Sequence, residues 1–174
     1  MSKDELLDLV NDKDEVIGEV WKSEAHKSPS IIHREVAITV FNSRGKVLIQ
    51  QRCMEKATDP GIWVTTAAGH IGVRENPRRA VKRELFEELG FDVSPKYYKK
   101  IFHKRKNKES RFFWIYYAIV KELPEININK EEVMATKWIN PLKLVDFAKK
   151  NNWDINGLSH KYVMEVYKKL FGTS

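Results

Sequence analysis

The chain has almost no cysteine, no long apolar run and no repeat, and each absence removes a class of protein. Cys53 is the one thiol among 174 residues, which excludes an internal disulfide, a disulfide scaffold and a thiol-rich zinc cluster. It follows an apolar run with nothing nearby to activate a thiolate, so a structural role is expected. No stretch approaches the ~20 apolar residues that a membrane helix needs. The N-terminal MSKDELLDLVNDKDEVIGEV lacks the apolar centre of a signal peptide. A cytoplasmic protein with no membrane partner is therefore expected. Without a low-complexity linker or repeat to divide it, the sequence reads as one domain over 1–174.

Acidic residues are the scarcer charge. With 24 Asp plus Glu against 31 Lys plus Arg, the net charge is +7. That balance suits an anionic partner, whether nucleic acid, acidic membrane or a small phosphorylated substrate, without choosing among them.

What is present alternates between strand and helix patterns. EVAITVFN (35–42) and KVLIQQR (46–52) read as strands joined by a turn at Ser43-Arg44-Gly45. A third apolar stretch, GIWVTTAA (61–68), leads into Gly69. YYKKIFH and RFFWIYYAIV read as a strand pair around the basic loop KRKNKES, and ATKWIN as a short strand. One helix is expected from Asn140-Pro141 to about Lys150. Another begins at Ser159, with Val163, Val166, Tyr167 and Leu170 at helical spacing. LLDLVNDKDEVIGEV reads as a small hairpin, within an N-terminal extension over 1–33. Interleaved strands and helices imply an α/β or α+β sandwich.

The segment GHIGVRENPRRAVKRELFEELGF, residues 69–91, is the most informative. Asn76 as N-cap, Pro77 at the first position and Gly90 at the end predict a helix over 77–89. Val81, Leu85 and Leu89 form its buried stripe. Glu84 and Glu88 fall together beside that stripe, with Glu87 on the adjoining surface. Like charges at i, i+4 cost roughly 0.2–0.5 kcal/mol per pair, and arginines early with glutamates late oppose the helix dipole. A divalent ion such as Mg²⁺, which takes oxygen ligands and bridges carboxylates to phosphates, accounts for this layout.

The segment resembles the Nudix box, G-x5-E-x7-R-E-U-x-E-E-x-G-U with U bulky and apolar, through Gly69, Glu75, Arg83, Glu84, Leu85, Glu87, Glu88, Gly90 and Phe91. The resemblance implies a Nudix-type α/β/α sandwich with a mixed sheet, and a Mg²⁺- or Mn²⁺-dependent enzyme that cleaves a diphosphate linkage in a nucleoside diphosphate or nucleotide derivative. It makes Glu87, Glu88 and the Gly69 carbonyl metal ligands, and Glu84 a ligand or the base. Arg83 would orient the glutamates, and Glu75 would hold the loop. Glu131 or Glu132 offers an extra carboxylate.

Outside the box, the chain is similar to isopentenyl diphosphate isomerases of the same fold. That similarity puts His26, His33, His70 and Glu109 at metal positions, and Lys22, Arg52 and Lys56 on the diphosphate. Three departures weigh against isomerisation. Ala68 stands where a catalytic cysteine is expected, Lys161 where a tryptophan is, and Arg111 where a second metal-binding carboxylate is. A Nudix pyrophosphohydrolase is thus the leading expectation, with a small-molecule diphosphate as partner and nucleic acid not expected. The alternatives are a diphosphate isomerase and a non-catalytic RNA- or nucleotide-binding module.

Overall fold

The computed structural model describes residues 4–56, 58–104, 109–153, 155 and 157–172. The tip of the expected basic hairpin, 105–108, lies outside them. An N-terminal hairpin of β1 (Leu6–Val10) and β2 (Val16–Trp21) is followed by one turn of helix, α1 (Lys22–Ala25), and then by β3 (Ile32–Asn42), β4 (Val47–Arg52), β5 (Trp63–Val64) and β6 (Ala67–His70). α2 (Pro77–Leu89) precedes β7 (Lys96–Lys104), β8 (Ser110–Val120) and β9 (Val133–Ile139). A 3₁₀ turn at Pro141–Lys143 runs into α3 (Leu144–Ala148), and α4 (Leu158–Phe171) closes the chain.

β3 organises the sheet. Along one side it pairs in parallel with β8 from Ile32↔Ser110 to Asn42↔Val120. Along the other it meets β1 at Val10↔Ile32, β6 over Glu35–Ile38 and β4 at Phe41↔Val47 alone. β3 and β4 therefore diverge after the hairpin, and the chain fills the gap with β5 against β4 and β6 against β3. Two threonine hydroxyls stitch the crossover. Thr66 Oγ1 accepts from the Val40 amide at 2.8 Å and donates to the Leu48 carbonyl at 2.6 Å, while Thr65 Oγ1 donates to the Ile38 carbonyl at 3.0 Å. These side-chain bonds satisfy backbone groups that would otherwise be buried unpaired. They also explain why the single apolar stretch 61–68 forms two short strands rather than one.

Strand alternation divides the core. Val36, Ile38 and Val40 of β3, with Leu48, pack on α2 through Val81, Leu85 and Leu89, all fully or almost fully buried. Phe41, Val47 and Ile49 meet Leu144, Val163 and Val166 of α3 and α4 on the opposite face. The mixed sheet lies between helices, as expected for an α/β/α sandwich, and the N-terminal hairpin extends the same sheet.

α2 begins and ends as its sequence predicts. Asn76 accepts from the Arg78 amide at 2.9 Å, and Gly90, at φ 74°, gives its N–H to the Phe86 carbonyl. The last helix differs. It starts at Leu158 with Gly157 as its cap, because the Ser159 hydroxyl accepts from the Thr65 amide at 3.2 Å and ties the helix to the strand crossover instead. The helix after Asn140 keeps its predicted cap, opens as a 3₁₀ turn and stops at Ala148.

Candidate active site and metal centre

β6 separates two clusters of functional side chains. Gly69 faces α2: a Cβ there would run into the carboxyl group of Glu84. The neighbouring Ala68 and His70 line a cavity on the other side of the strand.

On the helix side, Arg83 holds the loop to α2. Its Nε and one terminal nitrogen each bond Glu75 at 2.9 Å, and that same terminal nitrogen reaches the His70 carbonyl at 3.0 Å. Glu75 in turn accepts from the Gly72 amide at 3.0 Å. The other terminal nitrogen bonds Glu84 at 2.7 Å and Glu87 at 3.0 Å. Glu75 is held below its ordinary pKa, since its bonds to Arg83 and Gly72 outweigh the burial that opposes ionisation.

Glu84 and Glu88 are 9% and 6% exposed, whereas Glu87 lies open to solvent. Burial pushes Glu84 up to about 7 even with Arg83 beside it. Burial, and then the charge of Glu84, push Glu88 up to about 8, against the 2.6 Å hydrogen bond from the Gln50 amide. Two further acids act here. Glu5 raises Glu84, and Glu132 raises Glu88. Of the two candidates for an extra carboxylate, Glu132 is therefore the one near the box; Glu131 lies exposed on the turn before β9. Sequence reasoning missed Glu5, whose position depends on the β1–β2 hairpin.

The cavity, about 410 Å³, is lined by the outward residues of β3 and β8, including Glu35, Ala37, Thr39, Phe113 and Ile115, and is roofed by Leu158 and Tyr162 of α4. At one end His26, His33, His70 and Glu35 bring one donor atom each to within 4.8 Å of one another. Glu35 was not singled out from sequence, because an acid within EVAITVFN reads as a strand's polar alternate. It is held well below the usual carboxylate range: burial opposes ionisation, but Arg111 and the neighbouring histidines outweigh it. Burial holds His70 well below the ordinary imidazole value and lowers His26 as well.

The three expected diphosphate contacts separate. Arg52 lines the cavity and bonds the Thr58 carbonyl at 2.9 Å. Lys22 is engaged with Glu5 at 2.6 Å and Lys56 with Glu132 at 2.5 Å. Lys161 lies over the ring of Tyr162, and it is Tyr162 that presents an aromatic face to the cavity. Leu158 and Tyr162, four residues apart, share one helix face, and Lys161 is off it. Cys53 is buried and donates to Glu55.

Both clusters fit a divalent ion by donor chemistry. The carboxylates of Glu84, Glu87 and Glu88 and the Gly69 carbonyl are oxygen donors of the kind that suits Mg²⁺ or Mn²⁺. Glu84 and Glu87 are, however, engaged by Arg83 and Glu88 by the Gln50 amide, and among the described residues only the histidine cluster brings three or more such side chains within 4.8 Å of one another. The histidine cluster offers three nitrogens and one oxygen, a set suited to a first-row transition ion.

Comparison with known proteins bears on the family and the fold. The NUDIX domain model matches residues 31–160. The chain is 34% identical over 149 residues to an isopentenyl-diphosphate Delta-isomerase of Streptomyces coelicolor, covering 81% of this chain and 74% of that protein. It is 35% identical over 143 residues to isopentenyl-diphosphate Delta-isomerase 2 of Photorhabdus laumondii, covering 81% and 80%. Among solved structures, DR0079 from Deinococcus radiodurans superposes with a TM-score of 0.76 at 23% identity over 94% of this chain and 99% of that one. The NUDIX domain of Shewanella oneidensis NrtR, complexed with ADP ribose, superposes with a TM-score of 0.63 at 18% identity, over 79% and 87%.

Proposed function

Because the chain belongs to the NUDIX domain family, on its isopentenyl-diphosphate-isomerase-like branch, we propose that it is a Mg²⁺- or Mn²⁺-dependent pyrophosphohydrolase that cleaves the diphosphate linkage of a nucleoside diphosphate or nucleotide derivative. The observation that carries this reading is the pair of buried carboxyls, Glu84 and Glu88, one turn apart on α2, with Glu84 against Gly69 and tied by Arg83 to the Glu75 loop. A divalent ion bound there supplies charge neutralisation for the diphosphate and activation of the attacking water.

The chain's own residues do the rest. Glu87, Glu88 and the Gly69 carbonyl would hold the ion. Glu84, pushed up to about 7, exchanges its proton near neutral pH, which suits a base. Arg83 fixes the carboxylates through its bonds to Glu75, Glu84 and Glu87. Arg52, on the cavity wall and close enough to act on Glu88, is placed to contact a substrate phosphate. Ala68 in the cavity wall offers no proton, which favours hydrolysis over double-bond migration.

Diphosphate isomerisation is the second reading. It is favoured by the names of the relatives and by the rings of Tyr162 and Phe113 in the cavity, which could steady a cation. Incubation with Mg²⁺ and a panel of nucleoside di- and triphosphates, nucleotide sugars, coenzyme A and prenyl diphosphates, scored by product mass and, for isopentenyl diphosphate, also by proton NMR of the double bond, separates the two. Hydrolysis gives fragments that have gained the elements of water. Isomerisation gives an allylic product of unchanged mass from isopentenyl diphosphate, and would displace the hydrolase reading.

A further inference from the structure

The resemblance to the isomerases puts a metal-binding carboxylate at position 111, where this chain has arginine. Taken alone, that exchange looks like loss of the histidine site. The sheet register gives another answer. In the parallel β3–β8 ladder His33 lies opposite Arg111, and Glu35 follows two residues along β3 on the same face. We infer that Glu35 has taken over the carboxylate's role from the neighbouring strand, completing a transition-metal site with His26, His33 and His70, and that Arg111 is the residue that positions it.

The geometry around one oxygen supports this. Glu35 Oε1 lies 3.3 Å from His33 Nε2, 3.4 Å from His70 Nε2 and 2.7 Å from Arg111 Nη1. His26 Nε2 lies 3.0 Å from His70 Nε2. Ligands about 2.1 Å from a shared ion stand roughly 3.0–3.4 Å apart in octahedral or tetrahedral sites; these three donor separations fall there, and all four donors lie within 4.8 Å of one another. The three rings, 5.1–5.4 Å apart, come from the end of α1, from β3 and from β6, and in each it is Nε2 that makes the close contacts. Arg111 Nη1 also bonds Glu109 at 2.9 Å, which anchors the guanidinium outside the donor set. The Glu5 carboxylate stands 3.8 Å from His70 Nδ1, beyond hydrogen-bond distance. With nitrogen as the main donor, the site takes Zn²⁺ or Co²⁺ in preference to Mg²⁺.

This inference does not depend on the hydrolase reading, and its test bypasses turnover. The E87Q/E88Q protein, with the box disabled, is stripped with chelator and titrated with Co²⁺ in excess Mg²⁺, following visible absorption and calorimetry. One equivalent should bind and bring up a d–d band. E35D, which keeps the charge but withdraws the oxygen, should weaken binding 10–100-fold while melting cooperatively, and R111Q should weaken it about tenfold. Absence of a band, or unchanged affinity in E35D, overturns the inference. So does tighter binding in R111Q, which would make Arg111 the site's own cation.

Discussion

At Glu84 and Glu88 burial works against ionisation, and the neighbouring groups decide how far. Arg83 offsets part of the cost at Glu84, while Glu88 has Gln50 on one side and the charges of Glu84 and Glu132 on the other. A carboxyl placed this way is costly unless it is protonated or meets a cation. Replacing Glu88 with Gln should therefore leave the fold intact and reduce Mg²⁺-dependent turnover by on the order of 10²–10⁴-fold, measured as kcat on the substrate the panel identifies. Gly69 gives a sharper test. An alanine Cβ would meet the flexible end of Glu84 rather than backbone, so Gly69→Ala should fold normally and still lose most of its activity through displacement of that carboxyl. Circular dichroism with kinetics checks both halves. Arg83→Lys keeps the charge but loses the forked bonds to Glu75, and should lower kcat with little change in melting temperature.

At the scale of the element, α2 carries the acids and the helix–loop clamp together, so its stability depends on pH in a direction that can be worked out. Glu88 ionises at about 8 in the folded chain and near 4.5 when unfolded. Between those values the folded state holds the extra proton, so its contribution to stability falls as pH rises. The advantage of Glu88→Gln over wild type in melting temperature should accordingly grow from pH 5 to pH 8, by about 2–4 °C for each kcal/mol. Saturating Mg²⁺ should shrink it, because the ion binds the ionised carboxylate. A difference constant with pH would mean that Glu88 is not perturbed.

This helix was legible from sequence because every signal was local: a capping Asn, a Pro at the first turn, a period of apolar residues, a glycine in the left-handed region. The break at Thr65-Thr66 was not, since it depends on hydroxyl bonds to strands far along the chain. The start of α4 was misplaced for a related reason, with Ser159 spent on the Thr65 amide. Glu75, Arg83, Glu84 and Gly69 stood out through their spacing. Glu5, Glu35 and Tyr162 gained meaning only once the sheet brought distant segments together, and the Glu35–Arg111 exchange is visible only in the strand register.

For the whole molecule, β6 divides an oxygen-lined acidic site from a nitrogen-rich site at the end of a cavity, on opposite faces of one strand. Among the described residues no helix is long and apolar enough to cross a membrane. The net charge of +7 should steer an anionic substrate. Raising the salt from about 50 to 500 mM shortens the screening length to a few ångströms, so kcat/KM should fall several-fold while kcat hardly changes. Loss of kcat instead would point to salt acting on the site itself.

The central claim is that the box carboxylates drive addition of water across a diphosphate. It is met most directly by running wild-type and E87Q/E88Q proteins side by side in oxygen-18 water with Mg²⁺. The account predicts one labelled oxygen on a phosphate product of the wild type and a rate at least a hundredfold lower in the variant. An equal rate in the variant, or a converted substrate without label, would contradict it.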